Sequence, residues 1–208
     1  FVLFGFAAQD LPSGYLAVIN SFVPVWSLFF SYLVLGEKIK FRTFFSASLG
    51  ILGVMIVVGF GPVTLSLKNI FAIIMAFVAT FCYAISGVLT KKYCKNFSEI
   101  SLSVFCLASA TLILIPFTFI DLPTLKFSLL GLVSIIFLGI VCSGVAMMLY
   151  FNLIKSVGPV KATTVTFVVP AFGTLWGTIF LNEVFTIYMG IGIFLILMAS
   201  IAIFFENR

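Results

Sequence analysis

The chain has 208 residues, 63% hydrophobic and only 8% charged, with a net charge of +5 and no histidine. A soluble domain carries roughly 25% charged residues, so a water-covered globule is excluded. The cations sit in short clusters between apolar runs rather than along a stripe, which excludes a nucleic-acid partner and leaves the lipid bilayer as the chain's solvent.

In chain order, the first stretch is "FVLFGFAAQDLPSG", which reads as the tail of a helix whose beginning lies outside the sequence. It lacks the basic n-region and the small-residue cleavage site of a signal peptide. No charge then occurs between Asp10 and Glu37, Arg42 and Lys68, Glu99 and Asp121, Lys126 and Lys155, or Lys161 and Glu183. Each gap is about the ~20 residues with which an α-helix crosses ~30 Å of hydrocarbon. Membrane strands need only ~10 residues in strict alternation, and the runs do not alternate. Seven full spans follow the stub, at 13–35, 43–60, 69–90, 100–120, 128–152, 160–181 and 186–205. The expected class is an all-α polytopic membrane protein.

Alternating the loops across the bilayer sorts the cations. One side receives Lys38, Lys40, Arg42, Lys91, Lys92, Lys95, Lys155, Lys161 and Arg208; the other receives Lys68 and Lys126. The positive-inside rule then places the loops around 38–42, 91–95 and 155–161, and the C-terminus, in the cytoplasm of a cell-membrane protein.

The segment "FVPVWSLFFSYLVLGEKI" is echoed near the end by "VVPAFGTLWGTIFLNEVF". A shift of 146 residues lays Val23 and Pro24 on Val169 and Pro170, Leu35 on Leu181, and Glu37 on Glu183. Small residues correspond as well: Ser27 with Gly173, Ser31 with Gly177, Ser46 with Gly192, Gly53 with Ala199. The copies are the first and sixth of the seven spans, five places apart, an odd number, so the second is inverted. Inverted repeats are a recurring architecture of secondary transporters, with the substrate where the repeats meet.

The stretch from Leu149 to Thr186, "LYFNLIKSVGPVKATTVTFVVPAFGTLWGTIFLNEVFT", resembles the second repeat of EamA-type transporters in the drug/metabolite transporter superfamily. Leu11 to Lys38 resembles the matching part of the first repeat, and Ala76 to Tyr93 the helix that opens the second, with Tyr83 where that family usually has Trp. The resemblance implies an inverted-repeat bundle of ten helices in two five-helix repeats, of which this chain would hold seven plus a stub. The first two helices and most of the third would then be missing. It also implies a division into 1–62, the end of the first repeat, and 68–208, the second.

Polar positions inside the spans mark the candidate site. Ala17, Asn20, Pro24, Ser27 and Ser31 share one helix face, and Thr163, Thr166, Pro170, Gly173 and Gly177 share its counterpart. A proline in a helix frees a backbone carbonyl, which lipid tolerates only against protein or water. Asn20 and Thr166, one turn before Pro24 and Pro170, either face a central cavity or pack helices. The Gly/Ser pairs suit close packing. Thr80 and Tyr83 share a face, as do Ser143 and Tyr150. On the family pattern their helices border the cavity, where a tyrosine offers a ring and a hydroxyl; filling a helix gap is the other reading of each.

Glu37 and Glu183 sit at helix ends, where a carboxylate can cap a helix N-terminus. No acid lies at mid-membrane depth in the sequence, the usual place of a proton-coupling group. The four cysteines form no C-x-x-C, and no H-E-x-x-H, G-x-S-x-G or P-loop occurs, so neither metal, cofactor nor enzyme is expected. The function expected is a secondary carrier for a small metabolite or amphipathic compound, efflux being one direction. The alternative is a non-transporting fragment or structural membrane subunit.

Overall fold

A computed structural model describes residues 1–38, 40–60, 63, 66–118 and 128–204. Among them the chain is helical, with no strand. Short helix α1 (Val2–Ala7) leads to α2 (Ser13–Asn20) and α3 (Val23–Phe30), which ends in a π-helical turn, Ser31–Leu35. Then come α4 (Phe41–Phe60), α5 (Leu67–Tyr93), α6 (Glu99–Thr118) and α7 (Leu129–Phe137). A π-helical stretch, Leu138–Val145, joins α7 to α8 (Ala146–Val157). The chain closes with α9 (Pro159–Thr163), a 3-10 turn Thr164–Phe167, α10 (Val169–Leu181) and α11 (Ile187–Phe204).

Six described spans are long and apolar enough to cross a membrane: 13–35, 41–58, 67–93, 99–116, 131–157 and 159–181. The seventh expected span is α11, whose apolar described part, 187–202, is shorter. The protein is a polytopic helical membrane protein. Large apolar side chains on its outside, such as Ile113 at 66% and Ile135 at 69% exposure, would be costly in water and cost nothing in hydrocarbon.

The two corresponding segments break at one register. In the first, α2 stops at Asn20 and α3 starts at Val23; in the second, the 3-10 turn stops at Phe167 and α10 starts at Val169. Each proline thus stands in the first turn of a new helix, where its missing N–H costs nothing, rather than kinking a continuous one. The C-terminal ends match too. Gly36 (φ +69°) and Asn182 (φ +53°) adopt the left-handed conformation. Beyond them the Glu37 N–H donates to Ser31 O at 3.3 Å, and the Glu183 N–H to Gly177 O at 3.1 Å. That is one helix-ending turn written twice, with glycine at one copy and asparagine, the next most tolerant residue, at the other.

Helices α2 and α10 pack antiparallel through small residues. A Cβ added to Gly173 would lie 2.7 Å from Ala17 Cβ, and one on Gly14 would lie 2.8 Å from Thr174 Cγ2. Helices α4 and α11 are equally close, since a Cβ on either Gly53 or Gly192 would meet the other's carbonyl oxygen at 2.7 Å. Between these pairs lies a core of Tyr15, Val18, Ile19, Val57, Ala76, Phe167 and Ile196. Tyr15 buries its ring there and donates its hydroxyl to Val58 O at 3.0 Å.

Charges gather at two ends. Lys68 pairs with Asp10 at 2.6 Å. Elsewhere Lys155 pairs with Glu99 at 3.0 Å and donates to Phe97 O, while Lys91 donates to Lys155 O at 3.4 Å.

Candidate functional site

The break between α2 and α3, and the 3-10 turn before α10, place Asn20 and Thr166 on one wall of a cavity of ≈ 870 Å³. Helix α5 contributes Tyr83, Cys82 and Ser86, α6 contributes Cys106, and the α7–α8 rod contributes Cys142 and Tyr150. Gly173 and Ala17, the tight contact between α2 and α10, also line it. Apart from Ser13 the remaining wall is apolar, and no charged side chain lines it among the described residues. Such a wall suits a largely apolar solute held by a few placed polar groups.

Those polar groups differ in what they have left to offer. Thr166 Oγ1 donates to Thr163 O at 2.7 Å, the local bond that threonine makes inside helical turns. The Asn20 carboxamide and the Tyr83 and Tyr150 hydroxyls have no hydrogen-bond partner among the described residues. Partly buried and unpartnered, these three can each bond a ligand. The Tyr83 ring packs edge-on against Phe1 at 5.5 Å and tilted against Phe4 at 6.1 Å. The Tyr150 hydroxyl passes 3.2 Å from where a Cβ on Gly87 would stand, so that glycine opens the space it occupies.

Four of the expected residues therefore meet at one cavity: Asn20, Tyr83, Tyr150 and Thr166. The other four do not line it. Thr80 is fully buried and donates to Phe77 O at 2.6 Å. Pro24 and Pro170 are buried in the first turns of α3 and α10. Ser143, in the π-helical stretch, stands beside the wall that Cys142 reaches.

Sequence reasoning missed the cysteines. Cys82, Cys106 and Cys142 are scattered in sequence, yet all three reach the cavity. The signal was helical spacing: Cys82 with Ser86, Cys106 with Ala110 and Cys142 with Ala146 each lie four residues apart, so each pair shares a face. None of the three is disulfide-bonded, and no cluster of metal-ligating residues exists among the described residues.

A second, smaller pocket of ≈ 300 Å³ lies where the turn after α3 approaches the start of α9. Ser31, Glu37, Lys38, Lys40, Thr43, Pro159, Val160 and Lys161 line it.

The sequence is similar to several bacterial proteins. It is 22% identical to the uncharacterized transporter YoaV of Bacillus subtilis over 92% of this chain and 66% of that protein. It is 28% identical to an uncharacterized transporter of Clostridium kluyveri, over 88% of this chain and 61% of that one. It is 26% identical to protein PecM of Dickeya dadantii, over 88% and 62% respectively. The chain thus spans 61–66% of the length of these relatives. A crystal structure shares the fold with a TM-score of 0.77 at 16% identity, covering 100% of this chain and 71% of that one. Residues 1–59 and 70–205, nearly the whole sequence, match the profile of the EamA-like transporter family, and the protein belongs to that family.

Proposed function

We propose that the protein carries a small metabolite or amphipathic compound across the cytoplasmic membrane, exposing the ≈ 870 Å³ cavity to each side in turn. The single observation that carries this reading is the cavity's placement. It is lined by Asn20 of one segment and Thr166 of its counterpart, the two breaks that share a register. Two inverted repeats, 1–62 and 68–208, rocking against each other around that site would give alternating access. Membership of a transporter family and the antiparallel packing of α2 and α10 support the reading.

The wall chemistry narrows the solute. With no charged side chain on it among the described residues, a polyanion would lose its hydration without compensation, so the solute is neutral, zwitterionic or a delocalised cation. The tyrosine rings offer a face to apolar or cationic groups. The Lys-rich end, with Lys38, Lys91, Lys155 and Lys161, would face the cytoplasm.

The test is flux in proteoliposomes, with labelled amino acids, nucleosides and cationic dyes, with and without a proton gradient. Uptake or release of one class that saturates with concentration supports the carrier. Absence of saturable flux for every class in intact vesicles overturns it. Dependence on the gradient decides coupling.

A further inference from the structure

The two copies of the helix-ending turn agree in backbone but not in what their glutamates do. Glu183 is half-buried and bonded: Oε1 accepts the Ser13 N–H at 2.7 Å, and Oε2 the Gly14 N–H at 3.1 Å. It thereby ties the end of α10 to the start of α2. Glu37, at the same register, is exposed, and its carboxylate has no hydrogen-bond or ion-pair partner among the described residues. It stands instead at the rim of the ≈ 300 Å³ pocket.

The 146-residue register says what surrounds each glutamate at the corresponding place. Ser13 and Gly14 correspond to Pro159 and Val160, and Gly177 corresponds to Ser31. All three of these counterparts, Pro159, Val160 and Ser31, line the pocket beside Glu37. The donors are exchanged rather than lost. Pro159 has no N–H to match Ser13, but Ser31 brings a hydroxyl where Gly177 has no side chain. That hydroxyl is 1% exposed and has no partner among the described residues, a state that costs free energy unless some conformation satisfies it. Lys38, Lys40 and Lys161 around the same pocket favour a carboxylate inside it. Packing differs between the ends in the same sense: Leu11 is 4% exposed, and its counterpart Val157 is 46% exposed.

We propose that Glu37 is a second latch, closed when Glu183 is open, its carboxylate then entering the pocket to accept the Ser31 O–H and the Val160 N–H. In this structure the Glu183 end is latched and the Glu37 end is released. The proposal rests on the alternating-access reading above and assigns the pair of residues that hold its two states.

Thiol accessibility tests it in the full chain, reconstituted in vesicles, with Cys82, Cys94, Cys106 and Cys142 replaced by Ser. A cysteine at Leu11 reports opening of the Glu183 end through its rate of labelling by a maleimide. Glu183→Gln speeds that labelling about tenfold, the population change that the loss of a charge-assisted hydrogen bond produces. Glu37→Gln, and separately Ser31→Ala, slows it by a similar factor from the opposite end of the protein. A cysteine at Pro12 serves as the reporter if Leu11→Cys does not fold. Labelling at Leu11 or Pro12 that ignores Glu37→Gln and Ser31→Ala overturns the latch. Flux distinguishes the two readings: saturable flux with an unresponsive reporter leaves the carrier and removes the latch. A responsive reporter without flux for any solute leaves the latch and removes the carrier.

Discussion

Glu183 reaches Ser13 across 170 residues of sequence, its Oε1 accepting the Ser13 N–H at 2.7 Å. The first N–H groups of any helix lack partners within it, and a carboxylate there is favoured by the helix dipole as well. The room for this contact comes from Gly177, whose added Cβ would meet Glu183 Oε2 and lie 2.8 Å from Ser13 Oγ.

Glu183→Ala leaves the Ser13 and Gly14 N–H groups unpaired, which costs about 1.5–3 kcal/mol for bonds to a charged group. Glu183→Gln keeps one acceptor and costs less. The check is thermal unfolding of the purified protein in detergent. An unfolding temperature for Glu183→Ala equal to that of the native protein would contradict this account of the contact.

The antiparallel pair α4 and α11 makes a sharper comparison among glycines. Gly192→Ala puts a methyl into Val57 Cγ2 and 2.7 Å from Gly53 O, a backbone atom that cannot move aside. Overpacking of that kind costs roughly 1–3 kcal/mol. At Gly50, on the same helix as Gly53, the nearest atom to an added Cβ is Phe167 Cε1 at 3.4 Å, an ordinary contact. Gly50→Ala is therefore neutral or gains up to about 1 kcal/mol of helix propensity. The two variants measured side by side in the same detergent should shift in opposite directions, or at least differ by more than about 1 kcal/mol.

The span layout was legible in the sequence because charge is so costly in hydrocarbon: the gaps between Asp10 and Glu37 or Lys161 and Glu183 could be little else. The shared register of Pro24 with Pro170 and of Glu37 with Glu183 was legible too. What that register would do locally was not. The prolines start helices instead of bending them, because the chain breaks one turn earlier, at Asn20 and at the 3-10 turn holding Thr166. Helical spacing alone put Thr80 beside Tyr83, yet positions three apart still point about 60° apart, and Thr80 turned into the core. The cysteines were hidden for the converse reason: spacing pairs Cys82 with Ser86 on one face of its own helix, but that this face meets those of Cys106 and Cys142 is set by packing between helices, which one-helix periodicity does not carry.

Those cysteines are native probes of the cavity. N-ethylmaleimide on Cys82, Cys106 or Cys142 places a bulky adduct in a space of ≈ 870 Å³, enough to obstruct a solute of drug-like size. Alkylation should abolish flux, and a transported solute at saturating concentration should slow the alkylation. Cys94 is not on the cavity wall. A variant retaining Cys94 alone should transport and resist the reagent. Inhibition that persists in that variant would mean that the reagent acts elsewhere.

The hydrogen-bond inventory of the wall orders the effects of substitution. Among the described residues the Asn20 carboxamide and the Tyr83 and Tyr150 hydroxyls have no partner, whereas Thr166 has already spent its hydroxyl on Thr163 O at 2.7 Å and Thr80 its own on Phe77 O at 2.6 Å. A group held for the solute loses about 0.5–1.5 kcal/mol when removed, so Asn20→Ala should raise the half-saturating concentration by several-fold to about tenfold. Tyr83→Phe and Tyr150→Phe keep the ring and isolate the hydroxyl; a solute bonded to that hydroxyl binds more weakly, and one held by the ring alone does not notice. Thr166→Val should leave affinity within about twofold, because its hydroxyl is locally satisfied and the deleted bond belongs to the turn. Thr80→Val, away from the wall, should change stability and not affinity. The measurement is concentration-dependent flux for each variant. Were Thr166→Val to weaken binding as much as Asn20→Ala, the threonine would have to leave its backbone bond during transport, and the turn before α10 would be a moving part of the site.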